Sequence, residues 1–409
     1  MFAARASWDL TPSPLAKRIS ELRASGPLFD LTNANPASLT LPGEILALAL
    51  ADVARSPAAR AYEPDPRGDL AAREAIAAYH RGQGAQLEAH QIVLTAGTSE
   101  GYAQLFRVLA DPGDLVHLPT PGYPLFEHLA ELEGLRCARY ALRAPRDAEA
   151  SWRLDLDGLA ASLGPESRAL LAIHPHNPTG SFVAPGDLES LRSVCTEREL
   201  ALLSDEVFAD SAADGRAASA LVGAESGPLC CVLSGASKVL GVPQLKVGWI
   251  AVSGASRVRD EALARLEFAA DAYLSVSQLV ARALPALFAR RAEIRAALGA
   301  RVAANRAALG RALERVGGAR LLPAEAGWAA IVAIAVPPER AEAGADEALA
   351  LSALEQARVQ IHPGSLFELE PARGRIYLVA SLLAPEPELA AGAEALAQFL
   401  SRTRGPDAR

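Results

Sequence analysis

Residues 233–249 read LSGASKVLGVPQLKVGW and join the end of an apolar run to two lysines. Lys238 follows the run in a turn of small residues, beside the hydroxyls of Ser234 and Ser237. Desolvation at a strand end lowers the pKa of a lysine, and its free amine can then attack a carbonyl group. Nearby hydroxyls can bind a phosphate. The stretch therefore indicates a site for a phosphorylated carbonyl cofactor, although a solvated surface residue is the better interpretation of any single lysine.

Length and composition indicate an ordinary globular protein with two domains. The 409 residues can bury a large core; half of them are apolar and 22% are charged. The formal net charge of -8 gives no electrostatic reason to expect nucleic acid or an anionic membrane as a partner. No apolar run approaches the roughly 20 residues of a membrane helix, and no signal peptide is predicted at the N-terminus.

The cysteines and histidines show no metal-ligand spacing. Cys137, Cys195, Cys230 and Cys231 form no CxxC pair, and the two histidines of HPHNPTG (174–180) lack a third ligand. Buried, reduced thiols in a cytoplasmic protein are the expected arrangement. We therefore predict no metal site and a cytoplasmic location.

Short apolar runs alternate with helical stretches between about residues 90 and 255. The runs lie at 92–94, 115–118, 169–173, 200–203, 229–233 and 247–252. This alternation predicts an α/β layer with a mostly parallel sheet, whose ligands bind beyond the carboxyl ends of the strands. A long helical stretch at 287–316 could bridge two domains. The mixed strands and helices of 319–403 predict a second, smaller α+β domain.

Two of the runs are followed by motifs that can hold a planar, phosphorylated ligand. TAGTSEG (95–101) precedes a helix, where free N–H groups and the hydroxyls of Thr98 and Ser99 make a phosphate cradle, or an N-cap without any ligand. PTPGYPLF (119–126) places Tyr123 on a proline-fixed turn, where its ring could stack on a ligand or pack in the core.

Two further runs are followed by an amide and a carboxylate. HPHNPTG presents Asn177, whose amide can hold a phenolic oxygen. SDEVF (204–208) presents Asp205, which could cap a helix. A carboxylate beside a pyridine nitrogen keeps that nitrogen protonated and makes the ring an electron sink.

The ordered set of motifs resembles the class I/II aminotransferases of the fold-type I PLP-dependent enzymes. From about residue 31 to 400 the matching strings are YEPDPRGDLAAR, GTSEG, PGYP, NPTG, SDEVF, SGASK with a basic residue eight positions on, GW and HPGSLF. The resemblance implies an α/β fold with a mostly parallel seven-stranded sheet in a large domain and a smaller α+β domain. It implies an N-terminal arm and part of the small domain over 1–50, the large PLP-binding domain over 51–290, and the interdomain helix and small C-terminal domain over 291–409.

The resemblance also implies a role for individual residues. Lys238 would form the Schiff base with pyridoxal 5′-phosphate and serve as the general acid/base. Asp205 would pair with the pyridinium nitrogen, Asn177 would bind the ring hydroxyl and the substrate, and Tyr123 would stack on the ring. The implied phosphate ligands are Gly97, Thr98, Ser99, Ser237 and Lys246. Ser234 could take the place of a phosphate-binding serine of the family. Tyr62 would be supplied by the other subunit of a homodimer.

Among the positions that depart from the family pattern, three bear most directly on the cofactor and the substrate. Lys246 stands where most members have arginine, and lysine loses the bidentate fork. Phe208 replaces a tyrosine beside the cofactor. Val379 occupies the position of the arginine that binds the substrate α-carboxylate; Arg375 lies four residues away, on the same face of the strand, and is the candidate replacement.

The preferred function is an aminotransferase that moves an amino group between an L-amino acid and a 2-oxo acid in a ping-pong cycle through Lys238. A PLP-dependent lyase, such as a carbon–sulfur β-lyase or a decarboxylase, uses the same lysine, aspartate and asparagine, so the fold cannot decide between them. A PLP-binding regulator without activity is the third interpretation. Such regulators usually carry a DNA-binding module, for which the short N-terminal arm leaves no room.

Overall fold

The protein is represented by a computed structural model that describes residues 8–145, 151–212, 214–216, 218–371 and 374–403. The strands are β1 (Phe29–Asp30), β2 (Ile92–Thr95), β3 (Leu115–Thr120), β4 (Arg136–Arg143), β5 (Arg153–Leu154), β6 (Ser167–Ile173), β7 (Ala201–Asp205), β8 (Cys230–Gly235), β9 (Gly248–Ser253), β10 (Ala319–Leu321), β11 (Ala329–Ala335), β12 (Val359–Gln360), β13 (His362–Pro363) and β14 (Arg375–Ser381). The helices are α1 (Pro14–Ala24), α2 (Thr40–Arg55), α3 (Leu70–Arg81), α4 (Thr98–Leu109), α5 (Leu125–Leu132), α6 (Leu156–Ser162), α7 (Pro185–Glu197), α8 (Ala236–Val239), α9 (Ser256–Asp271), α10 (Gln278–Ala289), α11 (Arg291–Leu313), α12 (Ala345–Ala357) and α13 (Glu386–Thr403).

The largest sheet has the strand order β2-β9-β8-β7-β6-β3-β4-β5. The pairs from β8 through β4 are parallel, whereas β9 runs antiparallel to both of its neighbours. Within the described residues, the predicted number of seven strands is matched by β2, β9, β8, β7, β6, β3 and β4. The two-residue strand β5 pairs antiparallel with β4 and adds an eighth. The sheet is therefore α/β and mostly parallel, as predicted.

Strand β8 shows why the central strands are continuous apolar runs. Cys230 and Val232 pack into the core on one face of the sheet, while Cys231 and Leu233 pack into the core on the other. Successive side chains of a strand point to opposite faces, so a strand covered by helices on both sides must be apolar at every position. Each such side chain contributes roughly 1.5–3 kcal/mol on full burial.

Polar side chains cap the starts of α1 and α3. The hydroxyl of Ser13 accepts a hydrogen bond from the N–H of Ala16 at the start of α1, and the carboxylate of Asp69 accepts one from the N–H of Ala72 at the start of α3. Each cap satisfies an N–H group that the first helical turn leaves unpaired.

Two elements differ from the expectation. Strand β4 was not predicted, because its sequence RCARYALR is interrupted by arginines; it lies near the sheet edge and buries only Tyr140 completely. The stretch at 287–316 is not one helix: α10 ends at Ala289, Arg290 leaves the helical conformation of its neighbours, and α11 begins at Arg291.

A second, antiparallel sheet has the order β10-β11-β14-β13. Its register places Val379 of β14 opposite Ile331 of β11 on one side and opposite His362 of β13 on the other. Strand β1 pairs with β12, so the N-terminal segment joins this part of the molecule. No helix among the described residues is long and apolar enough to cross a bilayer.

Candidate active site

Lys238 lies in the one-turn helix α8, directly after the carboxyl end of β8. Its Nζ atom lies 5.2 Å from the ring centroid of Trp328 and 5.9 Å from that of Phe208. Burial lowers the pKa of this amine, and the carboxylate of Asp205 opposes the shift. The neutral, nucleophilic form of the amine is therefore easier to reach here than in water.

Asp205 ends the neighbouring strand β7, where it pairs in register with Leu233 of β8. Its Oδ2 accepts a hydrogen bond of 2.8 Å from the hydroxyl of Tyr102, and its Oδ1 accepts one of 3.2 Å from the N–H of Val207. Burial raises the pKa of Asp205 to about 6, against the effects of these hydrogen bonds and of Lys238. The carboxylate is thus predominantly ionised at pH 7 although it is buried.

Sequence reasoning missed Tyr102. The residue lies one helical turn after Thr98 on α4, and its ring packs against Phe106 and Phe126 with centroids 5.8 and 5.1 Å away. A turn-spaced aromatic in a helix ordinarily indicates core packing, which is also what most of this ring does. Only the packing of α4 against β8 and β9 of the sheet shows that its hydroxyl reaches Asp205.

Lys238 and Asp205 face one cavity of about 330 Å³. Of the predicted site residues, seven line it: Thr98, Tyr123, Asn177, Asp205, Phe208, Ser237 and Lys238. The other described lining residues are Thr32, Ala34, Tyr102, Leu125, Phe126, Ile173, Val207, Trp328, Ala329, His362, Phe367, Val379, Ala380 and Ser381. The carboxyl ends of β6, β7 and β8 therefore bring the predicted amide, carboxylate and amine together.

An anion cradle lies at the start of α4. Gly97, the N-cap residue, has φ 139° and makes no side-chain cap, which leaves N–H groups of the first turn free. The Nζ atom of Lys246 lies 3.6 Å from where a Cβ atom on Gly97 would stand. A Cβ on Gly248 would lie only 2.7 Å from the backbone of Gly97 and Thr98, so glycine is required for β9 to approach this helix end.

Six predicted residues do not line this cavity: Gly97 and Lys246, which form the anion cradle, and the four described next. Ser99 is exposed on α4, and Ser234 is buried with its hydroxyl donating to the carbonyl of Glu206 at 3.3 Å. Tyr62 is 76% exposed and borders a different, small pocket. Arg375 lies at the exposed start of β14, opposite Ala335 in register, whereas Val379 on the same strand faces the cavity.

A larger cavity of about 840 Å³ shares Val207, Phe208, Lys238 and Trp328 with the first. It extends along the small side chains of α11, where Arg291, Arg295 and Arg306 also line it. Lys238 thus lines both cavities. Asp205 lines the smaller cavity, and guanidinium groups line the larger one.

The described residues contain no group of three His, Cys, Asp or Glu side chains that could hold a metal ion. The buried amine, the ionised carboxylate, an aromatic ring and an anion cradle instead match a flat heterocycle that carries a carbonyl and a phosphate.

The sequence profile described as aminotransferase class I and II matches residues 31–393, and the chain belongs to this family. A tyrosine aminotransferase of Homo sapiens is 28% identical over 262 residues, which cover 61% of this chain and 57% of the relative. An S-alkyl-thiohydroximate lyase of Arabidopsis thaliana is 32% identical over 208 residues, which cover 50% of this chain and 44% of the relative. The chain therefore matches only about half the length of these curated relatives.

The fold extends over the whole chain. An alanine aminotransferase from Pyrococcus furiosus superposes with a TM-score of 0.86 at 21% identity, covering 98% of this chain and 100% of that one. The family uses pyridoxal 5′-phosphate. The donor set described above fits this cofactor, since Asp205 can hold the ring nitrogen and the start of α4 with Lys246 can hold the phosphate.

Proposed function

We propose that the protein is a PLP-dependent aminotransferase that moves an amino group between an amino acid and a 2-oxo acid in a ping-pong cycle. The observation that carries this proposal is the single cavity into which Lys238 and Asp205 both project, with an anion cradle beside it. When bound, pyridoxal 5′-phosphate supplies an electron sink for the electron pair of the bond broken at the substrate carbon.

Lys238 is the group that moves the proton. Because its pKa is lowered, the Nζ atom can accept a proton from the substrate carbon near neutral pH and return it to another atom. The rings of Phe208 and Trp328 lie 5.9 and 5.2 Å from the amine and shield part of it from solvent.

Asp205 is placed to orient and charge the heterocycle. Its carboxylate, ionised at pH 7 and held by Tyr102, would accept a hydrogen bond from the ring nitrogen and keep that nitrogen protonated. Asn177 would bind the ring hydroxyl and the substrate through its amide, and Tyr123 would hold the face of the ring. Thr98, Ser237 and Lys246 hold the phosphate, together with the N–H groups after Gly97.

A homodimer in the cytoplasm is part of this proposal, with Tyr62 completing the neighbouring subunit's phosphate site. Large apolar side chains support it, because Tyr62, Phe268 and Tyr273 are 76%, 83% and 57% exposed in the single chain. Burying exposed apolar side chains of this size in a subunit interface is favourable. The division into 1–50, 51–290 and 291–409 is also proposed here.

A lyase is the second candidate, favoured by the similarity to an S-alkyl-thiohydroximate lyase. The two activities differ in what remains after a single amino acid is added without a 2-oxo acid. Transamination leaves the aminated form of the cofactor and one equivalent of 2-oxo acid. Elimination regenerates the starting absorbance and releases ammonia continuously. Recording the cofactor spectrum together with ammonia therefore separates the candidates.

The site assignment is tested by borohydride reduction of the cofactor-loaded protein followed by peptide mass spectrometry. The chain has only three lysines, Lys17, Lys238 and Lys246, among 40 basic residues, so the labelled position is unambiguous. The expected result is one cofactor mass on the peptide with Lys238. A label on Lys246, or none, would contradict the proposal.

A further inference from the structure

One wall of the 330 Å³ cavity is built from two paired strands. His362 of β13 and Val379 of β14 stand opposite each other in register, and both line the cavity. Val379 is buried, and the ring of Phe367 meets the His362 imidazole edge-on at a centroid distance of 5.7 Å. This wall is therefore apolar except for one imidazole.

No guanidinium lies at this wall among the described residues. Asp205 and Lys238 are the only lining side chains with a formal charge in the described part of the chain, and both serve the cofactor in the proposed function. Arg295 and Arg306 line the larger cavity instead, where they donate to the carbonyls of Gly215 and Leu322. A substrate carboxylate beside Val379 would lose water without gaining a cation, which costs several kcal/mol for a buried ion.

His362 is a neutral hydrogen-bonding group at the same place. Burial lowers the pKa of its imidazole, and the carboxylate of Asp30 opposes this only in part, so the ring is uncharged at pH 7. In the described structure neither ring nitrogen is hydrogen-bonded to another residue. A neutral imidazole can donate from one nitrogen and accept at the other.

The neighbouring hydroxyls are already engaged. Thr32 donates to Asp30 and accepts from Gln360, while Ser381 donates to the carbonyl of Asn33 at 2.7 Å. The imidazole is therefore the free polar partner at this wall.

We propose that His362 and Val379 select substrates whose amine-bearing carbon carries an uncharged carboxamide or hydroxymethyl group, in preference to the corresponding α-carboxylate. This inference rests on the proposed function and names its preferred amino donor: amino amides and amino alcohols bind more tightly than the matching amino acids. His362 is the specificity-determining contact, and Val379 gives a carboxylate no charged partner.

The first test measures binding without reaction. Calorimetry on the cofactor-loaded protein compares 3-phenylpropanamide with 3-phenylpropanoate, which have nearly the same shape and no amine. We expect the amide to bind about tenfold more tightly or better, because only the carboxylate must be desolvated unpaired. Equal or tighter binding of the carboxylate overturns the inference.

Variants identify the residues responsible. His362→Leu should weaken amide binding about fivefold, the loss of one hydrogen bond, without changing cofactor affinity. Val379→Arg should make the carboxylate bind more tightly than the amide, by about tenfold or more. If this variant does not fold, the wild-type protein and His362→Leu still test whether the amide is preferred. Arg375→Ala should leave the ratio unchanged, and a selective loss of carboxylate binding in that variant would overturn the inference.

The change in the cofactor spectrum on reaction is a second, independent measure of the substrate preference. When the loaded protein is mixed with L-phenylalanine, L-phenylalaninamide or L-phenylalaninol, the cofactor spectrum should change at the lowest concentration for the two compounds that lack a carboxylate. If none of the compounds changes the spectrum while calorimetry still favours the amide, the proposed transamination fails and the binding preference stands. If L-phenylalanine reacts at the lowest concentration, the preference fails and transamination stands.

Discussion

The hydroxyl of Tyr102 donates a hydrogen bond of 2.8 Å to Oδ2 of Asp205, and both side chains are buried. The hydrogen bond stabilises the ionised form of the acid, since it opposes the effect of burial on the pKa of Asp205. It also fixes the direction of the remaining carboxylate lone pairs. A buried acid that must stay ionised for function thus depends on a neighbour in another element.

Replacing Tyr102 by Phe should shift the acid limb of the activity profile to higher pH. Loss of the hydroxyl raises the pKa of Asp205 above about 6, so more of the acid is protonated at pH 6–7. We expect turnover near pH 6.5 to fall about tenfold, the equivalent of one hydrogen bond to a charged group. Turnover measured from pH 5 to 9 checks this. Tyr140→Phe, which removes another buried hydroxyl that donates to Leu171, is the matched control and should leave the profile in place.

Asp205→Asn should stabilise the cofactor-free protein while abolishing activity. The folded pKa is raised from 3.8 to about 6, so the charged acid destabilises the fold above pH 6, and this cost disappears as the pH falls below 4. The gain should approach about 3 kcal/mol at pH 8 and vanish near pH 4. Urea unfolding at both pH values measures it. Asp52→Asn on the exposed face of α2 should show no such pH dependence; an equal gain at both pH values would contradict this explanation.

Lys238→Ala should abolish turnover but retain part of the cofactor. The phosphate cradle at Gly97 and Lys246 is separate from the amine, so non-covalent binding persists when the covalent link is lost. Activity and the cofactor absorbance left after dialysis are the measurements. Lys17→Ala, in the exposed helix α1, should behave as wild type. Wild-type turnover in the Lys238 variant would disprove the assignment of the general base.

Lys246→Ala should weaken cofactor binding about tenfold, because an exposed ammonium beside the phosphate contributes a charge-assisted hydrogen bond. Raising the salt concentration should reduce the difference between variant and wild type. Lys246→Arg keeps the charge and should bind within a few-fold of wild type. Titration of the cofactor-free protein with pyridoxal 5′-phosphate gives the affinities. Unchanged affinity in the alanine variant would place the phosphate elsewhere.

The central sheet and the site at its carboxyl edge were predictable, because both follow from local sequence. Strands β6, β7 and β8 each contain an apolar run; Asp205 ends β7, and Asn177 and Lys238 follow within four residues of the ends of β6 and β8. In a parallel sheet those positions necessarily meet. Strand β4 escaped prediction because edge burial leaves its arginines in solvent and hides the apolar run.

Contacts between distant elements could not be read from local sequence. The Tyr102–Asp205 hydrogen bond joins residues 103 positions apart, and the register that sets His362 against Val379 depends on how β13 adds to the second sheet. Arg375 illustrates the same limit. Its even spacing from Val379 places both side chains on one face of β14. However, Arg375 lies at the exposed start of the strand, outside the cavity that Val379 lines.

Gly248→Ala should reduce both stability and cofactor affinity, because β9 packs its backbone directly on the start of α4. The added Cβ would lie 2.7 Å from backbone atoms of Gly97 and Thr98, which cannot move as a flexible side chain would. Overpacking of this kind costs about 1–3 kcal/mol, and relief of the clash displaces the N–H groups that hold the phosphate. Urea unfolding and cofactor titration measure the two effects.

Gly43→Ala is the matched control for this substitution, since a Cβ at Gly43 in α2 meets nothing within 4 Å. Alanine in a helix should stabilise the protein by up to about 1 kcal/mol and leave cofactor affinity unchanged. If Gly248→Ala lowers stability but not cofactor affinity, the start of α4 is not the phosphate site. If it lowers affinity at undiminished stability, the displaced N–H groups alone account for the loss, and the close approach of β9 serves cofactor binding and not the fold.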